Sequence, residues 1–407
     1  MNFVFISPAF PKSYYQFPRA IHNLGGRTLG IAEDSYDSLS YELKSSLDDY
    51  YQVRSLENYD EVYRAVAYFT YKYGRIDFLE SNNEYWLQSD ARLRQDFNIT
   101  SGAFPAELEH YKFKSAMKAY YEKAGCKTAR YHLVTNYEEG KAFIDKVGYP
   151  VVVKPDNGVG ASATYKIKND EELRNFYNNP PKVQYIMEEF INGLIVSFDG
   201  IADANGDVVF CTSHVFPDSI MDIVNDVHDV YYYSVREIPE DLKKIGTAVV
   251  KTFKPRSRFF HCEYFRLKED KEGVGKKGDI FGLEVNMRPP GGYTPDMMNY
   301  ANDIDVYQIY AQMVMGNVQP YNQTRPYTCT YAARRNGVHY VHSHEEIMQK
   351  YQGHICMHEQ MPAILAVAMG DDMYTARFKT EEEVLEFCSY VLQKWGLINE
   401  NWILQNI

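Results

Sequence analysis

Two rhythms of apolar and polar positions divide the chain. Residues 2–6 (Asn-Phe-Val-Phe-Ile) are a short apolar run that predicts a buried strand, and residues 16–23 keep a helical spacing ended by Gly25-Gly26. Residues 29–31 return to strand, 61–71 read as helix and 76–80 as strand. Strands alternating with helices at this spacing predict a parallel α/β layer. Ser7-Pro8-Ala9-Phe10 follows the first strand where a GxGxxG would be needed, so a dinucleotide site of the Rossmann kind is unsupported.

Beyond this layer the pattern changes. Residues 111–126 predict one helix closed by Ala124-Gly125, and 150–155 (Pro-Val-Val-Val-Lys-Pro) a strand that runs into a loop over 156–162. A helix at 171–177 and a strand at 183–190 follow. Segments 194–199 and 208–213 read as an antiparallel pair around the hairpin signal Asn205-Gly206. Then come a helix at 242–253, strands at 259–267 and 280–286 joined by the polar stretch 268–278, expected as a mobile hairpin loop, and a helix at 306–315. From about residue 320 strand and helix alternate, as in a small closing subdomain. The chain shows no internal repeat and no low-complexity segment.

Length and composition narrow the classes. The chain has 407 residues, which at about 150 per domain suggests two to three domains. A net charge of −12 disfavours a general nucleic-acid surface, because duplex binding needs a basic face. The longest apolar runs, such as Ile364 to Met369, are far short of the ~20 residues a membrane helix needs. Met1 to Ile6 lacks a basic leader and a cleavage site, so secretion is not expected. Six cysteines without a CxxC argue against a zinc ribbon or a disulfide scaffold; reduced thiols and a cytoplasmic location are the expectation.

The candidate chemistry begins at Lys154. An ammonium in a β-branched strand needs a partner or must snorkel to water. Right after it, Gly158 and Gly160 let backbone approach an anion closely, and Ser162 adds a hydroxyl donor. Lysine before glycines is the reverse of the Walker A order. Glu284, Asn286 and Arg288 share one strand face by period two, and Glu263 joins it if the two strands pair. Two carboxylates about 4 Å apart repel by roughly 4 kcal/mol at an effective dielectric of 20, which a cation would relieve. Carboxylate and amide oxygens suit Mg²⁺ or Mn²⁺. Pro289-Pro290-Gly291-Gly292 predicts a shaped loop beside them. Glu188 and Glu189 at a strand end could hold a polar heterocycle or simply face solvent. His214 and His261 read as structural, Arg334-Arg335 as surface arginines, and His339, His342, His344, His354 and His358 as incidental.

In this order, the pieces resemble the ATP-grasp superfamily over about residues 1–400: Lys114 ahead of a helix, Tyr149 to Pro155, Asn157 to Ser162, Met187-Glu188-Glu189-Phe190-Ile191, His261-Cys262-Glu263-Tyr264, and Glu284-Val285-Asn286-Met287-Arg288 with Gly292. The resemblance implies an α/β ATP-grasp fold with a Rossmann-like N-terminal layer (1–110), a small lobe with the glycine-rich loop (111–185), a large lobe with the metal site (186–320) and a C-terminal cap (321–407). It implies that Lys114 and Lys154 contact the phosphates of ATP. Gly158, Gly160, Ala161 and Ser162 belong to the loop that closes over them. Glu188 becomes the adenine-amino partner, with backbone at Glu189 and Ile191 completing the clamp. Glu263, Glu284 and Asn286 become ligands of Mg²⁺ or Mn²⁺, and Arg288 steadies an acyl phosphate or substrate carboxylate. The activity implied is ATP-dependent ligation of a small-molecule carboxylate to an amine, with bicarbonate-dependent carboxylation and non-catalytic nucleotide binding as alternatives. Neither nucleic acid nor membrane is an expected partner; a homodimer through the N-terminal layer fits. Two positions depart from the pattern. Phe113 stands where an aspartate often precedes the first lysine, which leaves Lys112 as a competitor, and Ile195 replaces a ribose-binding glutamate. The acidic stretch 215–233, with Asp218, Asp222, Asp226, His228 and Asp229, is the expected acceptor loop for a cationic amine.

Overall fold

The structure, a computed structural model, describes residues 1–158, 163–217, 229–318 and 323–395. Strands β1 (Asn2–Ile6), β2 (Arg27–Ala32), β3 (Asp49–Gln52) and β4 (Phe78–Glu80) form a wholly parallel sheet in the order β3-β2-β1-β4. The helix Tyr59–Tyr73 buries Val62, Ala65, Val66 and Phe69, the i, i+3, i+4, i+7 stripe of an amphipathic helix, and ends at Gly74 with φ 84°. Two elements lie outside the expected pattern. β3 (Asp-Tyr-Tyr-Gln) is only partly buried and lacks an apolar run. The helix Leu87–Asp96 buries Asp90 and Arg94 along with its apolar residues, so its apolar stripe is broken.

A second, four-stranded sheet is antiparallel: β6 (Tyr131–Leu133), β9 (Tyr185–Glu189), β7 (Val151–Pro155) and β8 (Tyr165–Ile167), in that order. The third and largest sheet holds β5 (Lys127–Thr128), β10 (Gly193–Ala202), β11 (Val208–Thr212), β12 (His214–Phe216), β13 (Val230–Ser234), β14 (Arg258–Leu267), β15 (Ile280–Asn286), β16 (Thr328–Arg334), β17 (Ile355–Gln360) and β18 (Asp372–Phe378). Its order is β17-β18-β16-β13-β12-β10-β14-β15-β5, with β11 on β10. The tail strands β16, β17 and β18 therefore extend the central sheet. Among the described residues no helix is long and apolar enough to cross a membrane. All six cysteines are free thiols.

The helix expected over 111–126 is two helices, Glu109–Lys112 and Lys114–Lys123. Phe113 between them is extended (φ −96°, ψ 120°) and bridges to Asn157. The Lys114 N–H donates to the Asp156 carbonyl at 2.9 Å, and Asp156 Oδ1 and Oδ2 accept from the Ser115 N–H and hydroxyl at 2.8 and 2.7 Å. A buried carboxylate on the free N–H groups of a helix start is favourable, and here it ties the helix to the end of β7. The stretch 268–278 closes on itself through a Lys271–Gly275 bridge, and Lys271 Nζ donates to the Phe190 carbonyl at 2.8 Å. An aromatic cluster joins the N-terminal layer to the central sheet, with Phe17 5.8 Å from Phe259 and 5.2 Å from Tyr310 between ring centres.

Candidate active site

The site is assembled where β14 and β15 pass the ends of β7 and β9. Register sets its centre: Glu263 lies directly opposite Glu284, and His261 opposite Asn286. A bulge follows Glu263. Helix Lys114–Lys123 lies across the pair, and the buried Tyr121 hydroxyl donates to the backbone carbonyls of Glu284 (2.9 Å) and Glu263 (3.2 Å). That contact needs space. A Cβ at Gly282 would stand 2.4 Å from the Tyr121 ring.

Charge is concentrated on this frame. Lys114 Nζ lies 3.2 Å from Glu284 Oε1 and donates to the Gly158 carbonyl at 3.1 Å, so it links the strand pair to the glycine loop. The competing Lys112 reaches Gln88 Oε1 at 3.5 Å. Lys154 Nζ lies 2.7 Å from Glu188 Oε2, and Glu188 Oε1 meets Lys118 Nζ at 2.6 Å. Burial resists ionisation of Glu188, but the two lysines overcome it and bring its pKa down to about 2. Burial likewise opposes the charge on Lys154, yet Glu188, Glu284 and Glu263 together hold its pKa above the usual lysine value. For Lys118 burial wins and its pKa falls. Glu189 pairs with Arg130 at 2.5 Å, and its N–H is taken by the Arg130 carbonyl at 3.0 Å.

Glu263 has a second anchor. Its Oε1 faces His261 Nε2 at 2.9 Å, while His261 Nδ1 faces Asp199 Oδ1 at 2.5 Å. Asp199 Oδ2 in turn meets His214 Nδ1 at 2.6 Å. Burial would discharge His261, but the carboxylates of Asp199 and Glu263 raise its pKa to about 9, and Asp199 is drawn down to about 2 despite its burial. Arg288 donates from Nη1 to the Pro289 carbonyl at 2.8 Å, and its charge reaches Glu263 and Glu84.

The structure thus gathers Lys114, Lys154, Gly158, Glu188, Glu263, Glu284, Asn286 and Arg288 in one region. Gly160, Ala161 and Ser162 lie outside the described residues, as do Asp218, Asp222, Asp226 and His228 of the expected acceptor loop. Asp229 is described and accepts from the Tyr340 hydroxyl at 2.5 Å. Two participants, Lys118 and Tyr121, were not anticipated. Lys118 sits one helical turn after Lys114, a spacing that could have flagged it. Tyr121 carries no local signal, because it acts through partners distant in sequence; His261, read from the sequence as structural, is buried between Asp199 and Glu263. Arg334 and Arg335 are buried and not surface residues. Arg334 Nε donates to the Val391 carbonyl at 2.7 Å, and Arg335 Nη2 to that of Val367 at 3.0 Å.

The donor set can be tested against a hard divalent cation. Glu263, Glu284 and Asn286 offer only oxygens, and no thiol lies among them. Among the described residues no three His, Cys, Asp or Glu side chains are grouped to hold a metal unaided. Two carboxylates and an amide oxygen suit a hard divalent cation.

Comparison with known proteins bears on the family and the fold. Residues 113–246 match the ATP-grasp domain family. An L-arginine-specific L-amino acid ligase of Bacillus subtilis is 22% identical over 247 residues, covering 58% of this chain and 57% of the relative. The chain spans from about a tenth to just over half of the length of the curated relatives it matches. In fold it is similar to an L-amino acid ligase from Bacillus licheniformis (TM-score 0.68, 15% identity, 95% of each chain). It is also similar to the biotin carboxylase domain of Hydrogenobacter thermophilus 2-oxoglutarate carboxylase, solved with MgADP and bicarbonate (TM-score 0.68, 17% identity, 94% of this chain and 88% of that one). Lys114, Lys154 and Glu188 fall inside the matched stretch, so residues 113–246 carry an ATP-grasp domain, and Glu263, Glu284, Asn286 and Arg288 follow it in the chain.

Proposed function

We propose that the protein is an ATP-dependent ligase that joins a small-molecule carboxylate to an amine and releases ADP and phosphate. The observation that carries this reading is the register of β14 and β15, which sets Glu263 against Glu284 with Lys114 on one of them and Lys154 within the field of both. Two half-buried acids beside two buried lysines suit a nucleotide triphosphate with its cation. The relatives named as amino acid ligases support the ligase class.

In this reading Lys114 and Lys154 exchange their carboxylate partners for phosphate oxygens. Glu188 keeps Lys118 and presents a carboxylate edge to the adenine amino group. Ile191 closes the clamp through its backbone. A divalent cation held by Glu263, Glu284 and Asn286 would neutralise charge on the transferred phosphoryl group. Tyr121 and His261 fix the two acids from behind, so little reorganisation is needed when substrates arrive. Arg288 would steady the substrate carboxylate as its oxygen attacks the γ-phosphorus and ADP leaves, and then the acyl phosphate so formed. The amine then displaces phosphate from the acyl phosphate, and closure of the glycine loop keeps water out.

The test is phosphate release from Mg-ATP across paired amino acids, with mass spectrometry of the products. Wild-type protein should release phosphate only when both an acid and an amine are present, and Glu284→Ala should lower the rate at least about 100-fold. Release that equals the Glu284→Ala background in every pairing would sink the proposal.

A further inference from the structure

One face of the central sheet carries a polar row that ends at the candidate metal site. Register builds it. On β10 and β14, Asp199 lies opposite His261 and Ser197 opposite Glu263. On β15, Asn286 lies opposite His261 and Glu284 opposite Glu263. β12 continues the row on the other side of β10, where Val215 pairs with Val196 and His214 comes next. Alternation along each strand puts Ser197 with Asp199, and His261 with Glu263, on one face. Ser197, Asp199 and His214 thus stand one and two strands behind Glu263.

Three donors converge on Asp199, a fully buried carboxylate. Its Oδ2 accepts from the Ser197 hydroxyl at 2.5 Å and from His214 Nδ1 at 2.6 Å, and its Oδ1 from His261 Nδ1 at 2.5 Å. The His214 N–H in turn donates to Ser197 Oγ at 3.1 Å. A carboxylate only accepts, so both nitrogens of His261, set between Asp199 and Glu263, carry protons. His214 needs only one. Its Nε2 has no partner among the described residues, and its ring lies 6.4 and 6.3 Å from those of Phe216 and Tyr232.

Burying charge inside a sheet is unfavourable where apolar side chains would serve. What the row delivers is at its far end. Ser197, Asp199 and His214 are fully buried, and the Glu263 side chain, 15% exposed, is the member that faces the site. His261 Nε2 takes Glu263 Oε1 at 2.9 Å, which leaves Oε2 for a cation. A ring held from behind by a carboxylate fixes the direction of whatever it binds, as outer partners do for metal ligands. Without the Asp199 carboxylate the His261 ring would be free to turn and to give up one proton, and Glu263 would lose its donor.

We infer that Asp199 is a positioning residue for the divalent cation: steadied by Ser197 and His214, it fixes the His261 ring so that Glu263 is held by one oxygen and offers the other. The identity of the site rests on the ligase reading, but the test needs no turnover. Calorimetry of ADP binding to the full chain, once with Mg²⁺ and once with EDTA, gives the gain in affinity due to the metal. Asp199→Asn keeps the shape but sets an amide NH₂ where a donor already points. It should cut that gain about 10-fold or more and leave metal-free ADP binding unchanged, a split that a merely structural role would not produce. His214→Leu removes one of the donors to Asp199 and should lower the gain in the same way. A gain in Asp199→Asn within about 2-fold of wild type overturns the inference, and so does a loss of metal-free binding in step with it. Where Asp199→Asn does not fold, His214→Leu decides by the same two results. A wild type that binds ADP no better with Mg²⁺ overturns the inference together with the metal site, while phosphate release judges the ligase reading separately.

Discussion

Glu188→Gln offers the sharpest quantitative test of the charge arrangement. The substitution keeps the side chain's shape and removes the shared counter-charge of Lys118 and Lys154. A carboxyl drawn from its ordinary 4.5 down to about 2 corresponds to roughly 3 kcal/mol of stabilisation. Breaking a buried ion pair from one side typically costs about 3–5 kcal/mol, because the partner is left uncompensated. Lys118 and Lys154 side chains are only 4% and 10% exposed, so water offers them little relief. Urea denaturation at pH 7 should therefore show a loss of about 3–5 kcal/mol. Because the folded pKa is depressed, the contribution is complete above pH 4.5 and disappears as pH falls toward 2. Wild-type and variant stabilities should converge in that window. Adding Lys118→Met to Glu188→Gln should recover part of the loss, since a buried lysine without an acid is replaced by an apolar chain of similar size. A loss under about 1 kcal/mol at pH 7, or a gap that stays constant down to pH 3, would refute the reasoning.

Other expectations follow from the same frame. His261 is raised from 6.5 to about 9, so its contribution is present below pH 6.5 and lost as pH rises through 9; unfolding free energy should drop by roughly 3 kcal/mol more in wild type than in His261→Gln over that range, as read by denaturant titration. Gly282→Ala brings a Cβ to 2.4 Å from the Tyr121 ring, and thermal unfolding should report a loss of about 1–3 kcal/mol together with weaker binding of Mg-ATP. Asn136→Ala removes the acceptor of the Glu139 N–H (2.9 Å) at a helix start away from the acids, so it should cost about 1 kcal/mol in stability and leave ATP affinity unchanged in calorimetry.

Much of this molecule was legible in local pattern. The runs around β1, β7, β14 and β15, the stripe of Tyr59–Tyr73, and a lysine strand running into glycines each rest on periods of 2 or 3.6 residues, which neighbouring side chains alone establish. Order along the chain was enough to suggest the superfamily and to name Lys154, Glu263 and Glu284. Tertiary structure decided the rest. Phe113 breaks a helix that its sequence would continue, because Asp156 and Asn157 of another strand's end claim the backbone there. Lys118 meets Glu188, His261 meets Asp199, and Tyr121 meets two carbonyls across separations that no period reaches. Those contacts exist only once sheets close on one another, since a buried charge or hydroxyl must take whichever partner the packing brings within reach.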